Sequence, residues 1–513
     1  MVAQESSDPA MAGAAAPPAR RPRPFLLERA IAHRHEYGRA LFLLLLLHAA
    51  LYLLDPAVQY YFGDSGGYLH AAQGYVPADR SFLYGKIIRA VALRVGDLAA
   101  LVAFQIAVFI ATTLLLQFVL REYLRVGPRL ALGGAVIASG LPVHMIWTRY
   151  VMTETCALAG VTMLLVLALE YVRSGRWAWL LPLHVVGIAS IAIRSAALPS
   201  VLAVAVVLPV LVGGTAPSGR FAPRARWRSV LLHLAISLAV MVPLHEAYKS
   251  DYAGRRERAA EQGWYELEEP AVRAYNQESG RFVISFVAPL VRPEDFPVEL
   301  DGAAVLAATP GVDDRRNRIA QQWRPEGLYR QVLAAVKAAE LEERGDRVAS
   351  AVARRTVLRD PLGVLQLGWN TLLDFWSPRF GKMIYSELGF DGEEPRNVAT
   401  LLRRDYARTL AGYTRRDSPL KQAFRFMEPY VAAVAFLFLG VPLLVLIQRR
   451  ETRRSLLVLG GLLFCYGAGA VWLTSHNSAR FLHPVLWLAW AFLLAWRPGA
   501  FWRRSAPATA VTR

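Results

Sequence analysis

Cysteine is almost missing from this chain: Cys156 and Cys465 are the two in 513 residues, and both fall in apolar stretches. That excludes a disulfide framework and leaves the pair as packing residues. Acidic residues are also in deficit, 40 against 58 lysines and arginines, for a formal net charge of +18. Internal repeats are not apparent, and the centres of the apolar stretches hold no charged residues, with His48 in the first the nearest exception. Both absences argue against a transporter built from repeated, broken helices. Residues 1 to about 24, rich in Ala, Pro and Arg, hold no signal-peptide core and read as a disordered cytoplasmic tail.

Apolar residues are abundant instead. They make up 55% of the chain, too much for a soluble protein unless a large share of that surface meets lipid. A span needs roughly 20 mostly apolar residues. Ten stretches qualify, near 40–54, 98–120, 130–147, 155–172, 177–193, 195–213, 229–246, 428–447, 455–475 and 480–496. The expected fold class is an all-α polytopic membrane protein with about ten transmembrane helices and an extracytoplasmic, mainly helical domain.

The positive charge follows the positive-inside rule, so it is no nucleic-acid footprint. Arginines crowd the flank before the first stretch and then every second loop: Arg121, Arg125 and Arg129; Arg173 and Arg176; Arg220, Arg224, Arg226 and Arg228; Arg449, Arg450, Arg453 and Arg454; Arg497, Arg503 and Arg504. The alternate loops hold single arginines at 149, 194 and 480. This places both termini in the cytoplasm and the loops after stretches one, three, five, seven and nine outside. The domain reading is a cytoplasmic tail and basic anchor over 1–39, a membrane domain of seven spans over 40–246, an external domain over 247–427, three further spans over 428–496, and a cytoplasmic tail over 497–513.

The first outer loop, 55–97, ends in an amphipathic pattern of Ile87, Ile88, Val91, Ala92 and Val95, expected to lie as a helix in the interface. The external region of about 180 residues is large enough for its own core, with helices expected over 327–344 and 362–375. Its aromatics Trp264, Tyr265 and Trp323 suit sugar stacking, whereas Trp369 and Trp376 suit interfacial anchoring.

Ionisable groups at span ends on the outer side are the candidates for a site. These are Asp64, Lys86, Arg149, Glu154, Arg194, His245, Glu246, His476, Arg480 and His483. Each alone can snorkel or pair with a neighbour; their gathering from five loops on one side is what singles them out. Lys86, Arg149, Arg194 and Arg480 would make an anion site if they converge, because guanidinium forks and an ammonium both bind phosphate oxygens. A phosphate at a membrane surface usually belongs to a lipid. Asp64, ionised at neutral pH, can take the proton of an attacking hydroxyl, and Gly63, Gly66 and Gly67 beside it permit close approach.

An acid after the first span, then Tyr84-Gly85-Lys86-Ile87-Ile88, then Arg149-Tyr150-Val151-Met152-Thr153-Glu154, Ile193-Arg194-Ser195-Ala196-Ala197-Leu198, Asp360-Pro361-Leu362 through Trp376-Ser377-Pro378, and Ala479-Arg480-Phe481-Leu482-His483-Pro484: this ordered set resembles the GT-C class of membrane glycosyltransferases. The resemblance is nearest to the bacterial branch of protein O-mannosyltransferases and aminoarabinose transferases. It spans both membrane halves and is thin over about 250–350. Two features depart from the family: no prolines follow Lys86, and no second acid follows Asp64.

The resemblance implies a glycosyltransferase of the bacterial inner membrane. It would move a sugar from a polyprenyl-phosphate donor to a glycan, lipid or protein acceptor hydroxyl on the extracytoplasmic face, with inversion. Asp64 would be the base; Lys86, Arg149, Arg194 and Arg480 would bind the donor phosphate; Glu154, Tyr84 and His483 would assist. No cofactor is required by this reading, and a divalent metal with His245 as a ligand stays open. Two rivals differ in class: a lipid-linked glycan ligase or polymerase, which needs no acid in the first outer loop, and a lipid or sugar transporter or flippase.

Overall fold

A computed structural model describes residues 25–496 except 62–63, 81, 216–222, 224–225, 268–270, 272, 276, 342–343, 375–387, 389–395, 410–417, 427–441, 443–444, 449–451, 473 and 476–477. The two tails, most of the expected span at 428–447, and Gly63, Trp376 and His476 lie outside the described residues. Among the described residues every regular element is helical, and the one extended pairing is a single parallel bridge between Gln59 and Tyr150.

In chain order the helices that matter are α1 (Arg34–Leu54), α2 (Asp64–Gln73), α3 (Leu83–Ile88), α4 (Ala99–Phe118), α5 (Pro128–Gly140), α6 (Glu154–Ser174), α7 (Leu180–Ile193), α8 (Leu198–Gly214) and α9 (Trp227–Glu261). They are followed by α10 (Ser279–Val287), α11 (Leu328–Ala338), α12 (Gly345–Arg359), α13 (Pro361–Asp374), α14 (Arg396–Asp405), α15 (Pro419–Phe426), α16 (Arg453–Gly467) and α17 (Ala479–Ala495). Among the described residues five helices are long and apolar enough to cross a membrane: Arg34–Leu54, Ala99–Tyr123, Glu154–Ser174, Ser195–Gly214 and Trp227–Glu261. A sixth is added if α5 and the turn Pro142–Thr148, bent by 60° where Pro142 interrupts the helix, form one span. The chain is thus an all-α membrane protein. Of the other expected stretches, Trp177–Ile193 and Arg480–Ala495 are apolar but short; at 1.5 Å per residue each covers about 25 Å, less than a typical hydrocarbon core.

Helix α6 is the axis of the bundle. Buried residues make up 78% of its apolar window, against 17% for α1 and for α9, which lie on the outside of the bundle. Small residues let its neighbours close in: a Cβ on Gly160 would lie 2.5 Å from Ser190 Oγ of α7. Charge is confined to its two ends. At one, Glu170 accepts hydrogen bonds from Tyr123 at 2.7 Å and from Arg173 Nε at 2.9 Å. The same end holds Arg121 with Glu36 and Arg29 with Glu122. At the other end stands Glu154.

The domain boundary drawn at 246/247 falls inside a continuous helix. Helix α9 runs 35 residues, about 52 Å, so roughly 15 residues overhang a 30 Å hydrocarbon layer. That overhang packs on the first outer loop: Phe82 stacks on Tyr248 and Tyr252, Tyr252 donates to Pro77 O at 2.7 Å, and Arg256 donates to Val76 O at 2.8 Å. Helices α10, α11 and α12 form their own core of Ile284, Val287, Leu328, Val332, Val348 and Val352; the helix expected over 362–375 is present as α13, and that expected over 327–344 ends early, at Ala338 of α11. Helix α14 closes on α2 through Arg404 and Gln73, 2.7 Å apart. The amphipathic pattern of the first loop appears as α3 continued by a wide turn, Arg89–Leu93, that buries Ile88 and Ala92.

Helices α2 and α3 touch at Gly85, where a Cβ would lie 2.5 Å from Ala71 Cβ and 2.7 Å from its carbonyl carbon. Backbone cannot yield there. Gly85→Ala is expected to destabilise the protein by about 1–3 kcal/mol, read as a lower unfolding midpoint in detergent. Gly133→Ala, with nothing within 4 Å of the added Cβ, serves as the control; equal midpoints for the two variants would refute the contact.

Candidate functional site

Asp64 is the first residue of α2, where the exposed backbone N–H groups of a helix start favour a carboxylate. Two arginines hold its oxygens. Arg80 Nη1 donates to Oδ1 at 2.9 Å, and Arg480 Nη1, from the first turn of α17, donates to Oδ2. Arg80 is itself gripped from behind by Asp79, through Nε at 3.0 Å and Nη2 at 2.9 Å. Gly67 makes room for it, since a Cβ there would lie 3.1 Å from Arg80 Nη1.

Behind this trio lies a second pair. Arg194, in extended backbone between α7 and α8, donates from Nη1 to Glu154 Oε1 at 2.5 Å. Phe481 joins the two layers: the Arg194 and Arg480 guanidinium carbons lie 5.3 Å and 5.1 Å from its ring centre. Arg480 also lies over Tyr61 at 4.7 Å. Exposure grades inward. The side chains of Asp64, Arg80 and Arg480 are 19%, 17% and 18% exposed, that of Arg194 10%, and that of Glu154 is fully buried. An incoming ligand therefore meets the Asp64 layer first.

Burial alone would push the Asp64 carboxyl up, but Arg480, Arg80 and Arg194 outweigh it and hold it below the usual carboxylate range. Burial and the Asp64 charge push the Tyr68 phenol up, so it stays a neutral donor. His483 lies buried in the same wall of α17, both ring nitrogens lacking a hydrogen-bond partner among the described residues, against His144 and Trp147. Tyr84 is buried and donates to Gln105 Oε1 at 2.8 Å, bracing α3 on α4.

Asp64, Glu154, Arg194 and Arg480 thus come together from four parts of the chain. Lys86 and Arg149 stand apart from them. With Tyr84 facing inward, Lys86 two residues on is turned about 200° around the helix. It is exposed, 4.9 Å over the Phe82 ring. There burial and Arg255 of α9 lower its pKa. Arg149 lies in the segment that bridges to Gln59, with its guanidinium 5.3 Å from the Tyr52 ring on α1. His245 sits on α9, its Nδ1 engaged by the Tyr275 hydroxyl. Among the described residues no three His, Cys, Asp or Glu side chains gather as a metal site would need. Glu246 pairs with Lys249 at 2.6 Å.

No family model, curated protein or solved structure matches the chain. What the site can do rests on its own geometry. Three guanidiniums around one ionised carboxylate, partly open to water, form a place where an anion can exchange for Asp64. Arg80 is the residue that sequence reasoning missed. Its signal was the Asp79-Arg80 pair between Pro77 and the start of α3, off the amphipathic stripe that drew notice to Lys86.

Removing one partner of a buried ion pair leaves the other charge stranded. Arg194→Met is expected to lower stability by about 3–5 kcal/mol, and adding Glu154→Gln to recover much of the loss; denaturant titration of the single and double variants decides it. Asp64, with its pKa depressed on folding, contributes stability above the unfolded value near 4, and that contribution is lost as pH falls through the folded value. Asp64→Asn should therefore flatten the fall in unfolding midpoint on acidification below about pH 4, and an unchanged fall would count against the pairing.

Proposed function

We propose that this chain is a glycosyltransferase of GT-C type with about ten spans. In this reading it transfers a sugar from a polyprenyl-phosphate donor to an acceptor hydroxyl at the extracytoplasmic face of a bacterial inner membrane, with both termini in the cytoplasm. The observation that carries the reading is the bracketing of ionised Asp64 by Arg480 and Arg80, with Arg194 behind, at the bundle end that the external helices overhang.

The chemistry follows from the arrangement. The donor is a phosphodiester whose sugar carbon carries the leaving phosphate. Its phosphate oxygens compete with Asp64 for Arg480 and with Glu154 for Arg194, the two guanidiniums flanking Phe481. As they turn to the phosphate, the Asp64 carboxylate loses the charges that depress its pKa and becomes a stronger base. The acceptor oxygen then attacks the anomeric carbon, its proton passes to Asp64, and the carbon–oxygen bond to phosphate breaks with its electron pair. The arginines neutralise the charge growing on the lipid phosphate, an electrostatic effect worth several kcal/mol in a preorganised site. Attack opposite the leaving group inverts the anomeric centre. Arg80, anchored by Asp79, keeps Asp64 placed while Arg480 moves. Glu154 positions Arg194 until the phosphate arrives, and neither Lys86 nor Arg149 takes part.

The test is release of polyprenyl phosphate, followed by mass spectrometry, when purified protein meets polyprenyl-phosphate sugars and a membrane extract. Asp64→Asn is expected to reduce release by at least about a hundredfold, and Arg480→Gln by a similar factor, with both variants folded. Near-normal release from Asp64→Asn would remove the base assignment. Release of a diphosphate product instead would favour a lipid-linked glycan ligase or polymerase.

A further inference from the structure

Arg149 is the group that the proposed chemistry leaves over. It is 1% exposed, and Nε, Nη1 and Nη2 are all buried without a hydrogen-bond partner among the described residues. A guanidinium carries five donors and is almost never left without acceptors. The nearest acid does not serve it. Asp55 spends one oxygen on Ala57 N and the other on Leu420 N, each at 3.2 Å. Burial pushes the Arg149 pKa down to about 10, with Asp55 and Tyr52 opposing the fall only in part. A charge left so is costly unless something that belongs in the site offsets it.

The surroundings say what would. Along the inner face of α1, His48, Tyr52 and then Asp55 follow one another at helical spacing; His48 is hydrogen-bonded to Ser139 Oγ at 2.6 Å, and Tyr52 lies under the guanidinium. This polar track is separate from the Asp64 centre, whose charged neighbours are Arg480, Arg80 and Arg194. Its outer end is the exposed end of α1: Tyr52 is only half-buried, and the adjoining Leu53 and Leu54 are 82% and 69% exposed. A guanidinium with a free fork at a lipid-facing helix end matches a phosphate group in geometry and charge.

We propose that Arg149 is the receptor of a second anion site, taking the phosphate of a membrane phospholipid headgroup that enters beside Tyr52 at the end of α1. The bound phosphodiester accepts from the Arg149 fork, with its acyl chains along the exposed face of α1. The site is independent of glycosyl transfer, and its occupant is retained rather than consumed.

Binding is measured on the full chain in detergent, with dioctanoyl phosphatidylglycerol as the lipid probe and inorganic phosphate as the soluble one. Native mass spectrometry and the shift in unfolding midpoint are the readouts. One lipid is expected to bind tightly and raise the midpoint; Arg149→Gln should weaken it at least about tenfold, while Asp64→Asn leaves it unchanged. Where Arg149→Gln is not recovered folded, Arg149→Lys replaces it, keeping the charge but losing the fork, with a loss of at least about threefold. Phosphate binding that depends on Arg149 without lipid binding would keep the anion site and overturn its lipid source. Lipid binding undiminished in the Arg149 variants, or no response of the wild-type chain to either probe, would overturn the proposal. None of these readouts needs turnover, so failure here and failure of the glycosyltransferase reading are told apart.

Discussion

The ion pair between Asp64 and Arg480 joins residues 416 apart in sequence, and the organisation of the site depends on it. It ties the first outer loop to the last helix of the bundle. A carboxylate at the start of α2 and a guanidinium at the start of α17 each gain from a helix end or a ring: Asp64 from the N–H groups of its own first turn, Arg480 from Tyr61 and Phe481. Because Phe481 also carries Arg194, this contact fixes the outer layer against the inner Arg194 and Glu154 pair. Charge alternates from Arg80 to Asp64 to Arg480, and every member has a partner in the absence of substrate. A resting state of this kind is stable and yet exchangeable, since an incoming anion replaces one carboxylate contact with another of like charge.

The overhang of α9 supplies the second constraint. A helix that stopped at the membrane surface would leave the loop 76–82 without a wall. By continuing to Glu261 it presents Tyr248, Tyr252 and Arg256 to that loop, and so sets where Asp79 and Arg80 stand. The same wall takes Lys86, with Arg255 and Asp251 near it. One packing decision thus brings Arg80 to Asp64 and carries Lys86 away.

Two polar systems share this end of the bundle and serve different ends. The Asp64 cluster is self-compensating and partly open. Arg149 is closed in, without a hydrogen-bond partner among the described residues, and turned toward Tyr52 of α1. Residues 149 to 151 separate them: the backbone of this segment bonds to Gln59 on one side, and the Val151 carbonyl accepts from Ser65 Oγ at 3.0 Å on the other. Arg149 itself closes the turn Ile146–Thr148 in helical backbone, and its guanidinium lies over Tyr52 of α1, away from the Asp64 cluster.

Composition and hydropathy by themselves determined that the chain is helical and meets lipid, because apolar runs of span length have no other stable form in a bilayer. The sidedness of single charges was enough to bring Asp64, Glu154, Arg194 and Arg480 under notice, since an ionisable group at a span end has few places to go. Which cations would meet Asp64 was not legible. That depended on the rotation of α3, the length of α9 and the direction of the segment 149–151, all set by packing between residues far apart in the chain. Spacing along a sequence records which residues share a helix face; it does not record which face turns toward which neighbour. Only the tertiary structure set Arg80 rather than Lys86 beside Asp64, and only it buried Arg149 with its fork empty among the described residues.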